Sequence, residues 1–262
     1  MSEYQFIIDN MIWSFSNLNS FNQCKYEWYL HRIERADGKN NFYAEYGSFC
    51  HKILEKYAKG ELGLFELAEY FELNYDKEVT EFVYHKTADI RQNYKEKGID
   101  YFENIDLDLN SYEILGIEKK CNFEVEGKPF VGFIDLLLKD KQNGDIIVLD
   151  HKSSEYPIGK RGKILKSEQK KFQSYKRQLY LYAIQVYNEY GVYPAKLVWN
   201  FFKQQKWLAI PFKKDEYLEA QKWAIDTIHE IEKEEDFPPT VDFYYCHNLC
   251  RYRNSYCEYK NY

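Results

Sequence analysis

Two short segments of this chain end in carboxylates: Val131-Gly132-Phe133-Ile134-Asp135 and, farther on, Val148-Leu149-Asp150-His151-Lys152. Each begins as an apolar run of strand composition. Side chains two apart on a strand share a face, so Asp150 and Lys152 project together while His151 points away. If the two strands are neighbours, Asp135 joins the pair. Two carboxylates and an ammonium on one wall can hold a hard divalent cation and steady a developing anion. A strand-end salt bridge between Asp150 and Lys152 is the plainer alternative.

Other residues could extend such a site. His51 lies four residues from both Gly47 and Glu55, so on a helix the three share a face, and Gly47 would permit close approach to another segment. Gln178 and Tyr182 are also four apart, on the helix expected after the Asp150/Lys152 strand. Both could point back at that strand, or simply hydrogen-bond at a helix–sheet seam. Glu118 lies midway along an earlier predicted strand and could support the carboxylates from behind. Lys160, Arg161, Lys163, Lys166, Lys170, Lys171, Lys176 and Arg177 form a basic run interrupted by Glu168. It reads either as a phosphate-contacting patch or as a solvated helix face. Three of the six cysteines, Cys246, Cys250 and Cys257, cluster near the C-terminus, with Cys24, Cys50 and Cys121 elsewhere. In a reducing compartment disulfides are not expected.

The elements that must position these groups follow from periodicity. A helix capped by Ser14 or Ser16 is expected to run to about residue 31, with Leu18, Phe21, Lys25, Trp28 and Tyr29 at helical spacing. A second carries Phe42, Tyr46, Phe49, Ile53 and Tyr57 and ends at Gly60. Helices are also expected over 62–80 and 88–105. Strands follow at 112–126, 129–139 and 145–151, joined by Glu126-Gly127-Lys128 and Lys141-Gln142-Asn143-Gly144. A long helix over 167–190 stops at Gly191 and Pro194. Strands near 195–202 and 206–211 and a helix over 214–234 complete the pattern, before Pro238-Pro239 opens the cysteine-bearing tail. This order describes an α/β (α+β) fold: a mixed sheet flanked by helices. A single domain, 1–262, is expected, with a helical region at 1–110, a core at 111–212 and a helix plus cysteine tail at 213–262.

With 262 residues, 45% hydrophobic and 30% charged, the chain can bury a sizeable core and is of the globular rather than the disordered class. The aromatic share, 19%, supplies core area and rings able to stack on unpaired bases. No apolar run approaches the roughly 20 residues of a membrane span, and no secretory signal is evident, so a cytoplasmic protein without a membrane partner is expected. A net charge of −6 argues against a protein that coats nucleic acid non-specifically.

Taken in order, Gly47-x-x-x-His51, Gly132-Phe133-Ile134-Asp135, Asp150-His151-Lys152 and Gln178-Leu179-Tyr180-Leu181-Tyr182-Ala183 resemble the PD-(D/E)xK nuclease superfamily, and within it the RecB-like branch. Ser14-Phe15-Ser16-x-Leu18-x-x-Phe21-x-x-Cys24-x-x-x-Trp28-Tyr29 is similar to that branch's opening motif. The resemblance spans about residues 13–258 and implies a restriction-endonuclease-like sheet core. It further implies that Asp135 and Asp150 hold one or two Mg²⁺ or Mn²⁺ ions, with His51 and the backbone carbonyl of His151 as further ligands. Lys152 would act on the attacking water or the transition state, positioned with the phosphate by Gln178 and Tyr182.

Some RecB-like nucleases, CRISPR-associated and AddAB-type among them, hold a [4Fe–4S] cluster on one N-terminal and three C-terminal cysteines. Cys24 and Cys246, Cys250 and Cys257 match that set, in Cys-x3-Cys-x6-Cys spacing, one residue longer in each gap than the commoner form. Zinc on the same thiolates is the alternative, and Cys50 and Cys121 are expected to be buried thiols. The implied activity is a metal-dependent DNA exonuclease with single-strand or end preference, in recombination, phage replication or CRISPR spacer processing, with partner proteins of those pathways. A non-catalytic DNA-end-binding subunit and a restriction-type endonuclease are the competing readings. The absence of Gly-x-x-x-x-Gly-Lys-[Ser/Thr] argues against a helicase subunit.

Overall fold

The computed structural model describes residues 4–83 and 85–259. Six helices come first: α1 (Gln5–Asp9), α2 (Phe15–Gln23), α3 (Lys25–Arg32), α4 (Phe42–Ala58), α5 (Leu67–Glu78) and α6 (Ile90–Glu103). Side-chain caps start three of them, with Ser14, Asn41 and Asp89 accepting from the amides of Asn17, Ala44 and Gln92. Then come β1 (Tyr112–Val125), β2 (Lys128–Asp140) and β3 (Ile146–Lys152), followed by α7 (Gln169–Tyr190), β4 (Lys196–Phe201), β5 (Lys206–Pro211), α8 (Lys214–Lys233) and α9 (Phe243–Asn248).

The five strands form one sheet in sequence order, antiparallel except for β3 and β4, which run parallel across the α7 crossover. Between β1 and β2 the turn residues Glu126 and Gly127 both take positive φ, +47° and +75°, the twist a two-residue hairpin needs. Strand β3 is buried on both faces. Ile146 and Val148 enter a core built with α2, α3, α7 and α8, and Ile147 and Leu149 enter a second core with α4, α5 and α6. Such a strand, apolar on successive positions, carries a carboxylate only where something compensates it.

Two differences from the sequence reading concern the chain ends. The helix expected from Ser14 or Ser16 to about residue 31 is two helices, because Cys24 adopts an extended conformation (φ −157°, ψ 111°) between α2 and α3. The short α1 and α9 were not expected, since five and six residues are too few to display a helical period. Asp242 starts α9 by accepting from the Tyr245 amide at 2.6 Å. None of the helices among the described residues is long and apolar enough to cross a membrane.

Candidate metal centre and cysteine pocket

The antiparallel register of β2 and β3 includes Leu136 opposite Leu149, and one step farther along stand Asp135 and Asp150. The two carboxylates therefore come from neighbouring strands. Asp135 Oδ2 accepts from the His151 backbone amide at 2.7 Å, which fixes it against β3. Asp150 is 3% exposed, and its Oδ2 lies 2.7 Å from Lys152 Nζ. That contact is an ion pair without hydrogen-bond geometry, so the buried oxygen has no hydrogen-bond donor. The Lys152 ammonium is the group that offsets the burial of this oxygen.

Lys152 is held on three sides. Its Nζ donates to Gln178 Oε1 at 2.9 Å and sits 4.7 Å from the centre of the Tyr175 ring, whose hydroxyl donates to Ser154 at 2.8 Å. Gln178 Nε2 in turn donates to the Tyr182 hydroxyl at 3.4 Å. Helix α7 can press its rings this close because residue 132 is glycine. A Cβ there would fall 2.3 Å from Tyr182 Cε1. At Gly47 the approach is looser, with a Cβ meeting Ser153 Oγ at 3.2 Å.

His51, on α4, brings Nδ1 to 3.4 Å from Asp135 Oδ2. The residue that closes this group is Glu118. Its donor atoms, those of His51 and those of Asp135 lie within 4.8 Å of one another. Glu118 interrupts the β1–β2 ladder between the pairs Ile117–Leu136 and Lys119–Ile134, and it has a left-handed φ of +45°. A non-glycine residue in that region costs on the order of 1–3 kcal/mol. The sequence reading gave Glu118 only a supporting role. Counting back from the two-residue turn at Glu126-Gly127 sets it opposite Asp135, a signal already present in the chain.

Burial governs the charges. It pushes the Asp135 carboxyl up to about 8, and the Asp150 charge adds to the effect. Burial also raises Glu118, with Asp135 contributing, and lowers the His51 imidazole. Closely packed acidic groups that resist ionisation together are what a divalent cation relieves. The donor set, one imidazole and hard carboxylate oxygens, fits Mg²⁺ or Mn²⁺.

The other expected groups are placed as follows. The Asp150 carboxylate adjoins the His51–Glu118–Asp135 group and turns toward Lys152. The His151 side chain is buried, its Nδ1 3.0 Å from Asn200 Nδ2 and its ring edge-on to that of His51 at 5.7 Å between centroids, while its backbone amide holds Asp135. The basic run divides. Lys176 and Arg177 pair with Glu216 and Glu219 of α8, and Arg177 stacks on Trp223, so these two bind the fold together. Lys160, Arg161, Lys163, Lys166 and Lys170 are exposed on or beside a loop pinched by the Ile158–Ile164 bridge.

At the chain ends, Cys24, Cys246, Cys250 and Cys257 line one cavity. The tail is tied to α3 through buried Glu27, which accepts from the Tyr245 hydroxyl and from the Arg251 amide. Tyr252 bonds His31 at 2.9 Å and the Ala36 carbonyl at 3.2 Å. Burial pushes the Cys250 thiol up to about 12. Four thiols on one cavity suit a thiolate-bound metal group. Cys50 and Cys121 are buried elsewhere, on α4 and β1.

A crystal structure described as a "putative exonuclease" from Eubacterium rectale resembles this fold. Its TM-score is 0.54 at 13% sequence identity, over 92% of this chain and 89% of that one. A search of curated proteins by sequence found no match. The profile of one nuclease family aligns with residues 12–262, a span that holds every carboxylate, lysine and cysteine described above, and the chain belongs to the PD-(D/E)XK nuclease superfamily.

Proposed function

We propose that the protein is a Mg²⁺- or Mn²⁺-dependent deoxyribonuclease acting on DNA ends or single strands as an exonuclease. The observation that carries this reading is the pairing of Asp135 and Asp150 on adjacent strands with Lys152 fixed beside them. His51, Glu118, Asp135 and Asp150, with the His151 backbone carbonyl, would hold the cation. When bound, the cation lowers the pKa of water and offsets charge on the phosphate. Asp135, anchored by the His151 amide, keeps its second oxygen free for that role. Lys152, set between Asp150 and Gln178, would offer positive charge to the phosphate as negative charge builds. Gln178 and Tyr182 hold that ammonium in place. The exposed lysines and arginine of residues 160–170 would track the phosphate backbone, on a chain whose net charge of −6 discourages binding elsewhere.

The four-cysteine cavity is proposed to hold a [4Fe–4S] cluster. Zinc on the same four thiolates is the alternative, and the iron and zinc content of the purified protein separates the two. Work in the cytoplasm with recombination, phage or CRISPR adaptation partners follows from the same reading.

The test is a Mn²⁺-dependent assay on linear and circular DNA, single- and double-stranded, with wild type and Asp150→Ala. The reading expects linear substrates to shorten from their ends, circles to persist and the variant to be inactive. Cleavage of circles would make it an endonuclease. End binding without cleavage by wild type would make it a binding subunit.

A further inference from the structure

A second surface feature lies outside the metal centre. The start of α4, the segment after α5 and helix α9 enclose an open groove lined by Lys39, Tyr43, Phe82, Phe243, Tyr244 and Arg251 among others. Its cavity volume, about 680 Å³, lies within the roughly 300–1,000 Å³ of ligand-binding pockets. Phe82 is 79% exposed, Phe243 75% and Tyr244 58%, so three large rings face solvent together where a folded monomer would ordinarily cover them. Amides and cations also line it, Asn40, Asn248 and Asn254 with Lys39 and Arg251, beside apolar Val83 and Ile90, the imidazoles of His85 and His247, and one carboxylate, Glu81. Rings to stack on, amides to meet polar edges and cations for a backbone are what an unpaired polynucleotide recognises.

The groove is built rather than loose. Glu45 on α4 accepts from the Thr80 and Glu81 amides at 2.7 and 2.8 Å and fixes the Phe82 wall. Asn41 Nδ2 donates to the Leu249 carbonyl at 3.0 Å and fixes the α9 wall. One helix links it to the metal centre. The same helix that begins in the groove at Phe42 presents His51 nine residues later, about 13.5 Å along its axis. Between them Gly47 rests against Ser153, next to Lys152.

We propose that this groove binds the unpaired bases of the DNA strand whose phosphodiester lies at the Asp135–Asp150 site, an inference that rests on the nuclease reading above. The aromatic walls select for single strands, because a paired base has no free face to offer Phe82 or Tyr244. The cavity that holds the four cysteines shares Cys250 with the groove, so the tail that closes one also shapes the other.

The test uses Phe82→Ala and Phe243→Ala, separately. Binding is read by fluorescence anisotropy in the Asp150→Ala background with labelled oligothymidylate, an abasic strand of equal length, and duplex. Hydrolysis of bis(p-nitrophenyl) phosphate, which carries no base, is read with Asp150 intact and Mn²⁺ present. Expected is a loss of about 5- to 150-fold in oligothymidylate affinity for each variant, the range of one lost base stack. The abasic strand should bind the parent as weakly as the variants, and hydrolysis of the small diester should be unchanged. Oligothymidylate bound equally by Phe82→Ala and the parent, or an abasic strand bound as tightly as the base-bearing one, overturns the proposal. Phe82 is remote in sequence from the cysteines, and iron content monitors Phe243→Ala. If the Asp150-intact protein hydrolyses no diester at all, it is the nuclease reading that fails, whatever the binding data show.

Discussion

The carboxylate site and the cysteine pocket are constructed in opposite ways. At the first, backbone does the positioning: one step of strand register aligns Asp135 with Asp150, and a main-chain amide grips the Asp135 carboxylate. Lys152 is already fixed by Asp150, Gln178 and the Tyr175 ring. At the second, the thiols come from opposite ends of the chain and do little to hold one another. The bonds nearby run through Glu27, Tyr245 and Tyr252 instead, and the Cys246 thiol has only a 3.9 Å contact to the Thr240 carbonyl. A site set in a sheet between two cores is preorganised before its ion arrives. The cysteine pocket is closed by side-chain bonds between the tail and α3.

That contrast can be broken by substitution. The largest effect is expected at Lys152. Replacing it with alanine should lower the rate of DNA cleavage by on the order of 10³-fold or more, as loss of a group acting in the transition state does. Mn²⁺ binding measured by calorimetry should persist or tighten, because a cation beside Asp150 has been removed. Weakened Mn²⁺ binding would show that Lys152 only scaffolds the carboxylates.

Next in size is Cys250→Ser. It should lose the iron absorbance and lower the melting temperature, while Mn²⁺ affinity at the sheet stays within about threefold of wild type, since distant sites act nearly independently. Equal loss at both sites would mean that the two regions form one unit. Gln178→Ala should cost roughly 10- to 100-fold in kcat with little change in KM, the scale of a lost orienting contact. A change confined to KM would move Gln178 to substrate binding.

The smallest effect concerns the strained residue of β1. Glu118→Gly should relieve the left-handed backbone and raise stability by about 1 kcal/mol in metal-free protein. It should also weaken Mn²⁺ binding, and chemical denaturation with and without the ion separates the two. A variant less stable than wild type without metal would show that the Glu118 side chain supports the fold rather than the ion.

Much of this arrangement was legible in the sequence because it rests on short-range rules. Strand alternation placed Asp150 and Lys152 on one face, and the Glu126-Gly127 turn marked the first hairpin. Helical spacing put Gln178 and Tyr182 on one side of α7, and Gly47 marked the close approach of α4, whereas the need for glycine at 132 shows only in the fold. What escaped depends on tertiary pairing. Nothing local distinguishes Lys176 and Arg177, spent on Glu216 and Glu219, from the exposed lysines before them. Glu118 reads as a supporting carboxylate, because its left-handed φ and its approach to His51 exist only in the fold. The break at Cys24 is invisible to a period that continues smoothly through Phe21, Lys25 and Trp28. The groove beside α9 joins segments from three distant parts of the chain, and only folding makes them neighbours.

The most direct measurement is Mn²⁺-dependent cleavage of linear single-stranded DNA by Asp150→Ala beside wild type, with circular dichroism and iron content matched. The account predicts that wild type shortens the strand and the variant, folded and still carrying iron, leaves it intact. Cleavage by the variant at the wild-type rate would contradict it.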